Sequence, residues 1–244
     1  MPQVRVLGEF PVLEFRRYRI AREHRTNFAC YFDSYFPEAI QQLGGLVLGQ
    51  FLERDNAEGF TWIRGFHDME ARAAVNSGLY DGPVWKEHRE RMNEHMLDHT
   101  NVLLLAPLTS EHAIPVLPAV DAVRERGTSR GVAVAQVFAI KSGSFEEFVR
   151  ASEPTFAAYR SAGVREAGVL TSLDAPNNYP RLPFRTDGQY VVWLGVAEND
   201  AVLNARLRPA ARTAGTGVAH SGLLKATPEF IVLDPTTRSR LRWE

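Results

Sequence analysis

Apolar residues along the chain follow two spacings, and the switches between them mark out the elements. Phe28, Tyr31, Phe32, Tyr35, Phe36, Ala39, Ile40 and Leu43 recur at i, i+3, i+4, i+7 and their successors, one stripe of a helix. Pro37 lies inside that stripe and predicts a kink or break near Phe36. Gly44-Gly45 predicts its end. Val12–Ile20 before it, and Leu46–Leu52 and Phe60–Phe66 after it, carry β-branched and aromatic residues in strand-sized runs. The polar run Arg54 to Gly59 joins the last two as a hairpin. Asp68 is placed to cap a helix from Met69 to about Ser77. Beyond Asp81-Gly82-Pro83 a second helical piece is predicted over Pro83–Leu97, and a strand over Asn101–Ala106.

The order then repeats. Val132–Lys141 reads as a strand, and Ser144 with Glu147 three residues on reads as a capping box. The helix it opens has the stripe Phe145, Phe148, Val149, Phe156 and Tyr159, is interrupted by Pro154 and ends at Gly163. Val164–Leu173 and Gln189–Ala197 are strands, Asp200–Ala211 is a helix and Glu229–Leu233 a last strand. Trp62-Ile63-Arg64-Gly65 has a counterpart in Trp193-Leu194-Gly195, an internal duplication with a period of about 130 residues.

Each half has the β-α-β-β-α-β order of a ferredoxin-like unit. Such a unit covers one sheet face with helices and leaves the other bare, and two units bury their bare faces against each other. The predicted fold is therefore α+β, two tandem ferredoxin-like units packed sheet to sheet as an intramolecular α/β barrel. The units are residues 1–107 and 131–244, joined by a connecting segment 108–130 that holds the charged stretch Asp121–Arg126.

Composition narrows the classes of function. The chain has 244 residues, 45% hydrophobic and 23% charged, with a formal net charge of -1, so nothing biases it toward nucleic acid or an anionic membrane. No apolar run reaches the roughly 18–20 residues of a membrane span, and Arg5, Glu9 and Glu14 interrupt any signal-peptide core near the start. The single Cys30 suits a reducing, cytoplasmic compartment. The arginines Arg238, Arg240 and Arg242 with Trp243 read as a solvated end.

Several segments carry a family likeness. They are Gly82-Pro83-Val84-Trp85-Lys86-Glu87-His88-Arg89 with Asp98-His99-Thr100-Asn101-Val102-Leu103, and Asn177-Asn178-Tyr179-Pro180-Arg181-Leu182-Pro183-Phe184-Arg185. With Glu14-Phe15-Arg16-Arg17-Tyr18 and Trp62-Ile63-Arg64-Gly65-Phe66, the chain resembles bacterial NIPSNAP proteins from about Leu13 to Asp234. The resemblance implies the dimeric α/β-barrel superfamily, which includes cofactor-free monooxygenases, small lyases and isomerases, and haem enzymes. It carries no agreed catalytic motif, and His95 and His99 stand where the family pattern has small or polar residues.

Three groups of residues are candidates for chemistry. On the first strand Glu14, Arg16 and Tyr18 share a face, as do Trp62 and Arg64 on the third. If these faces coincide, Glu14 pairs with Arg64 or Arg16, either as a structural ion pair or as a cluster that orients an anionic ligand. On the helix after Gly82, Trp85, His88, Met92, His95 and Met96 share a stripe. His95 and His99, at i and i+4, can reach one metal if Asp98 or His67 adds a third ligand, but packing of a polar-aromatic face is the commoner meaning. The stretch Ser172–Gly188 is far longer than a usual hairpin loop of about 2–5 residues. Its Arg181 and Arg185 suit a binding lid as well as a structural arm.

These readings lead to a small-molecule enzyme without an organic cofactor, of lyase, isomerase or monooxygenase type, acting on a small anionic or aromatic metabolite. His88 is the expected acid or base, with Glu14 as its orienting carboxylate. Trp62, Trp85 and Tyr18 are the expected walls, and Arg64, Arg181 and Arg185 the expected anion holders. No metal site is assigned. The alternative is a ligand-binding or interaction protein using the same surface. A homo-oligomer, with a dimer foremost, is expected from the aromatic residues and prolines of the long segments.

Overall fold

The computed structural model describes residues 10–121, 125 and 130–243. The start of the chain and most of the charged stretch Asp121–Arg126 lie outside these. The first unit comprises β1 (Val12–Ile20), α1 (Arg25–Gln42), β2 (Leu46–Glu53), β3 (Gly59–Phe66), α2 (Met69–Tyr80), α3 (Pro83–Asn93) and β4 (Met96–Pro107). The second comprises β5 (Val132–Ile140), α4 (Phe145–Ser161), β6 (Arg165–Ser172), β7 (Gln189–Ala197), α5 (Asp200–Val202), α6 (Arg208–His220) and β8 (Glu229–Pro235). A π-helical turn, Leu203–Leu207, joins α5 to α6.

The strands close into one barrel in the order β1-β3-β2-β8-β5-β7-β6-β4. Within each unit the order is that of a ferredoxin-like sheet, and every pairing is antiparallel. The two sheets meet at their edges, β2 on β8 and β4 on β6, so no strand edge is left open. Strand alternation then decides the two cores. Leu13, Phe15 and Ile63 point into the barrel and meet Val192, Leu194 and Leu233 from the other unit. The alternate residues point outward under the helices, where Phe28, Phe32, Phe36 and Ile40 of α1 cover Phe60, Trp62 and Phe66. The duplicated order and the barrel are as expected.

Several local expectations give way. α1 runs through Pro37 without a break, and α4 likewise through Pro154. A proline removes one ladder bond, and the buried apolar faces of both helices hold them against that loss. Ser144 makes no side-chain cap bond, whereas Asp68 does, accepting from the Ala71 amide at 2.7 Å. α3 ends at Asn93, and Met96 to Asn101 belongs to β4 because it pairs with β1, Ile20 opposite Met96 and Arg17 opposite Asn101.

The C-terminal arginines are not a solvated end. Ser239, Leu241 and Arg242 are buried, and Leu241 packs into the barrel core and hydrogen-bonds the Leu48 carbonyl through its amide at 2.8 Å. Arg242 donates to both carboxylate oxygens of Glu125, at 2.8 and 3.0 Å, and to the carbonyl of Pro118. The tail therefore stoppers one barrel mouth. Truncating Leu241 to Ala should cost about 2–4 kcal/mol in urea unfolding, the range of a buried leucine. A tail dangling in solvent would give a change within about 0.5 kcal/mol.

Candidate functional site

The outward faces of β1 and β3 do coincide. Their register sets Glu14 opposite Arg64 and Arg16 opposite Trp62. Glu14 is fully buried and is held by three guanidiniums. Arg16 Nη1 and Arg64 Nε donate to Oε2 at 2.6 and 2.7 Å, and Arg72 Nε donates to Oε1 at 2.7 Å. Burial pushes a carboxyl upward, yet the charges of Arg64, Arg16 and Arg72 together overcome it and hold Glu14 well below the usual carboxylate range. Arg16 also donates through Nε to the Tyr18 hydroxyl at 2.8 Å. Burial raises the Tyr18 phenol above its ordinary range against the pull of Arg16, so at neutral pH it stays protonated.

Arg72 was not singled out by the sequence reading. It falls on the α2 face with Val75, Asn76 and Leu79, all buried, and a cation inside an apolar stripe was the signal that marked it. Burial draws its guanidinium below the usual range despite Glu14, and Arg64 and Arg16 add to the fall. Its Nη1 reaches Asn178 Oδ1 at 2.8 Å and Asn177 Oδ1 at 3.2 Å. Asn178 in turn donates to the Met69 carbonyl. Through these bonds the long loop of the second unit is tied to α2 of the first.

Above this cluster lies a cavity of about 370 Å³. Tyr18 and Trp62 form its floor, Phe32, Phe36 and Ile40 of α1 one wall, and Leu79, Tyr80, Trp85 and Met92 of α2 and α3 another. Met96 and His99 of β4 close a third side, and Tyr179, Arg181 and Leu182 of the loop reach over it. The loop follows β4 as it leaves β6, with Leu173 bonded to the Leu104 carbonyl at 3.0 Å and Arg185 to that of Val102 at 2.8 Å. This path carries a segment of the second unit onto the cavity of the first.

The structure brings Trp62, Tyr18, Trp85 and Arg181 to the cavity, with Arg64 and Glu14 in the ion cluster beside its floor. It does not bring the others. His88 is buried against α1, its Nδ1 2.7 Å from the Tyr31 hydroxyl and its ring stacked on Tyr35 at 4.0 Å. Glu14, shared among three arginines, is not its partner. The expected face was right, but α1 rather than the sheet packs on it. Arg185 is engaged with Asp187 and Tyr190 and lines a separate, more open cavity of about 350 Å³. Arg181 stands at the rim, largely exposed and paired with Asp81 at 2.7 Å. His95 stacks on His24 with ring centres 3.4 Å apart, and His99 lies on a strand, edge-on to Tyr18. The helical i, i+4 pairing of His95 and His99 therefore does not form. No group of three or more metal-ligating side chains occurs among the described residues. Of the histidines weighed as metal ligands, His99 alone lines this cavity.

No protein-family model and no curated protein matches the chain. Solved structures do. A candidate monooxygenase from Lactobacillus acidophilus NCFM is similar over 93% of this chain and 94% of its own, with 16% identity and a TM-score of 0.56. An anthrone oxidase-like protein is similar over 95% and 93%, at 13% identity and a TM-score of 0.55. A chlorite dismutase variant from Candidatus Nitrospira defluvii is similar over 94% of both chains, at 12% identity and a TM-score of 0.52. The chain shares with them the fold of a closed eight-stranded antiparallel α/β barrel. At these identities the likeness extends to the fold and no further. No helix among the described residues is long and apolar enough to cross a membrane.

The ion cluster fixes a dependence on pH. A carboxylate whose pKa is depressed by folding stabilises the fold above its unfolded value, about 4.3, and that stability drains away as pH falls below it. Urea unfolding should therefore weaken steadily below about pH 4.5. Glu14→Gln should cost about 3–5 kcal/mol at pH 7, because three buried guanidiniums lose their counter-ion. It should also flatten the acid limb that Glu14 contributes. A variant as stable as the parent at pH 7 would show that Glu14 is not the hub.

Proposed function

We propose that the chain is an enzyme of monooxygenase type that acts, without an organic cofactor, on a small aromatic substrate seated in the 370 Å³ cavity. It is further read as a member of the NIPSNAP family within the dimeric α/β-barrel fold. The observation that carries the reading is the cavity itself: a largely apolar pocket walled by two indoles and several aromatic rings, with the His99 imidazole and the phenols of Tyr18, Tyr80 and Tyr179 among its polar features and Asn93 and Arg181 at its edge. The fold shared with a candidate monooxygenase and an anthrone oxidase-like protein supports it.

The chemistry suited to such a pocket starts from a substrate whose acidic C–H is conjugated through an aromatic ring to a carbonyl oxygen. His99 takes the C–H proton, imidazole being the side chain best suited in general to proton transfer at neutral pH. The carbanion gives its electrons to dioxygen, and a hydroperoxide forms at the same carbon after protonation. Loss of water from CH–OOH leaves a ketone. One CH₂ and one O₂ become one C=O and one H₂O, so the substrate supplies all the electrons. Trp62 and Trp85 hold the ring, and Tyr18 donates to the carbonyl oxygen. His88 serves this site by positioning α3, which carries Trp85, against α1.

The test is oxygen uptake with anthrone and related ring systems that bear an acidic methylene across the ring from an aromatic carbonyl. Consumption of O₂ in equal amount to substrate, with the quinone as product, is the expected result. His99→Ala should lower kcat about 10²-fold or more, as loss of a proton-transfer group does. His88→Phe should leave kcat within a few-fold. Tight binding of such rings without O₂ uptake would favour the ligand-binding alternative.

A further inference from the structure

Beside the cavity floor the charges do not balance. Arg16, Arg64 and Arg72 are buried, and Glu14 is the one carboxylate among the described residues that pairs with them. Guanidiniums do not give up their protons at neutral pH, so positive charge is left over where water is excluded. Such charge is costly unless an anion answers it.

The donors do not balance either. Trp62 Nε1, Arg64 Nη1 and Arg72 Nη2 are buried and meet no acceptor among the described residues. The Tyr18 hydroxyl accepts from Arg16 and has no acceptor for its own proton among the described residues. Trp62 and Tyr18 are the two floor residues of the cavity. The guanidinium carbon of Arg16 lies 5.5 Å from the centre of each of their rings, and that of Arg64 lies 5.2 Å from Trp62. An anionic oxygen bound by these two side chains gives both of them an acceptor and sets a negative charge beside Arg16 and Arg64. The body of the ligand must be largely apolar, because Phe32, Phe36, Ile40, Leu79, Trp85 and Met92 wall much of the remaining space. A bare inorganic anion would leave those walls wet.

Given that the cavity is the ligand site, we infer that it takes its aromatic ligand as the conjugate base, a phenolate or enolate, with Trp62 Nε1–H and Tyr18 O–H donating to the oxyanion. Selection for the ionised form lowers the pKa of the bound ligand, which is the direction that carbanion formation requires.

The test compares 4-nitrophenol with its methyl ether, 4-nitroanisole, by equilibrium titration and by absorbance at pH values on both sides of the phenol's solution ionisation. Bound nitrophenol should show the phenolate band below that pH, its ionisation lowered by about one unit or more, a tenfold preference for the anion. Trp62→Phe should remove most of that preference, the phenolate losing about tenfold more affinity than the ether. Tyr18→Phe, which keeps the ring and loses the hydroxyl, should weaken the phenolate in the same sense. Equal affinity for phenolate and ether, or a preference that survives both substitutions, overturns the inference while the cavity stands as a ligand site. If neither compound binds at millimolar concentration, the cavity is not the ligand site and the inference falls with it.

Discussion

The carboxylate of Glu14 is the interaction on which the other parts of the first unit depend. It joins Arg16 on its own strand to Arg64 on β3 and to Arg72 on α2. Arg72 then reaches Asn177 and Asn178 in the loop of the second unit. One buried anion thus fixes where α2 lies on the sheet, and with α2 the walls given by Leu79 and Tyr80. Desolvating a carboxylate is expensive, and one or two hydrogen bonds would not offset it. Three charged donors do, at the expense of leaving the guanidiniums in excess. The shape of the cavity and the charge beside its floor are therefore consequences of the same constraint.

How much of this could be read from the sequence depends on the range of the forces involved. The β-α-β-β-α-β order came through because each element is set by local spacing. The apolar stripe of α1 and the alternation of β1 and β3 are visible within a dozen residues. The same alternation placed Glu14, Arg16 and Tyr18 on one face and Trp62 and Arg64 on another. Register between strands then made the two faces one. The failures are where a distant partner decides. Met96 and Leu97 continue a helical pattern, but β1 offers this stretch a ladder, with Ile20 opposite Met96. Arg242 looks solvated until Glu125 and the Pro118 carbonyl are placed beside it. His88 was correctly put on a buried face, yet nothing local says that Tyr31 and Tyr35 of α1, and not a strand carboxylate, meet it.

The second unit serves as an internal control for the first. β5 and β7 pair Gln136 with Trp193 as β1 and β3 pair Arg16 with Trp62, and Val134 with Gly195 as they pair Glu14 with Arg64. In the second unit the indole and the amide oxygen of this set are answered by protein. Tyr159 donates to Gln136 at 2.7 Å, and Trp193 Nε1 donates to Glu166 at 2.9 Å. Phe148, Phe156, Leu203 and Leu207 fill the space under the helices. The fold can therefore close this region completely, with a tryptophan at the same register. In the first unit the corresponding indole meets no acceptor among the described residues, beside a cavity and a surplus of guanidinium charge. That contrast cannot come from the barrel, which both halves share. It comes from Glu14, Arg16, Arg64 and Arg72, which replace an apolar pair, a glutamine and a closed core. Duplication within one chain let one half keep a solid interior and lend its long loop as a roof, while the other half gave up that solidity for a cavity of about 370 Å³.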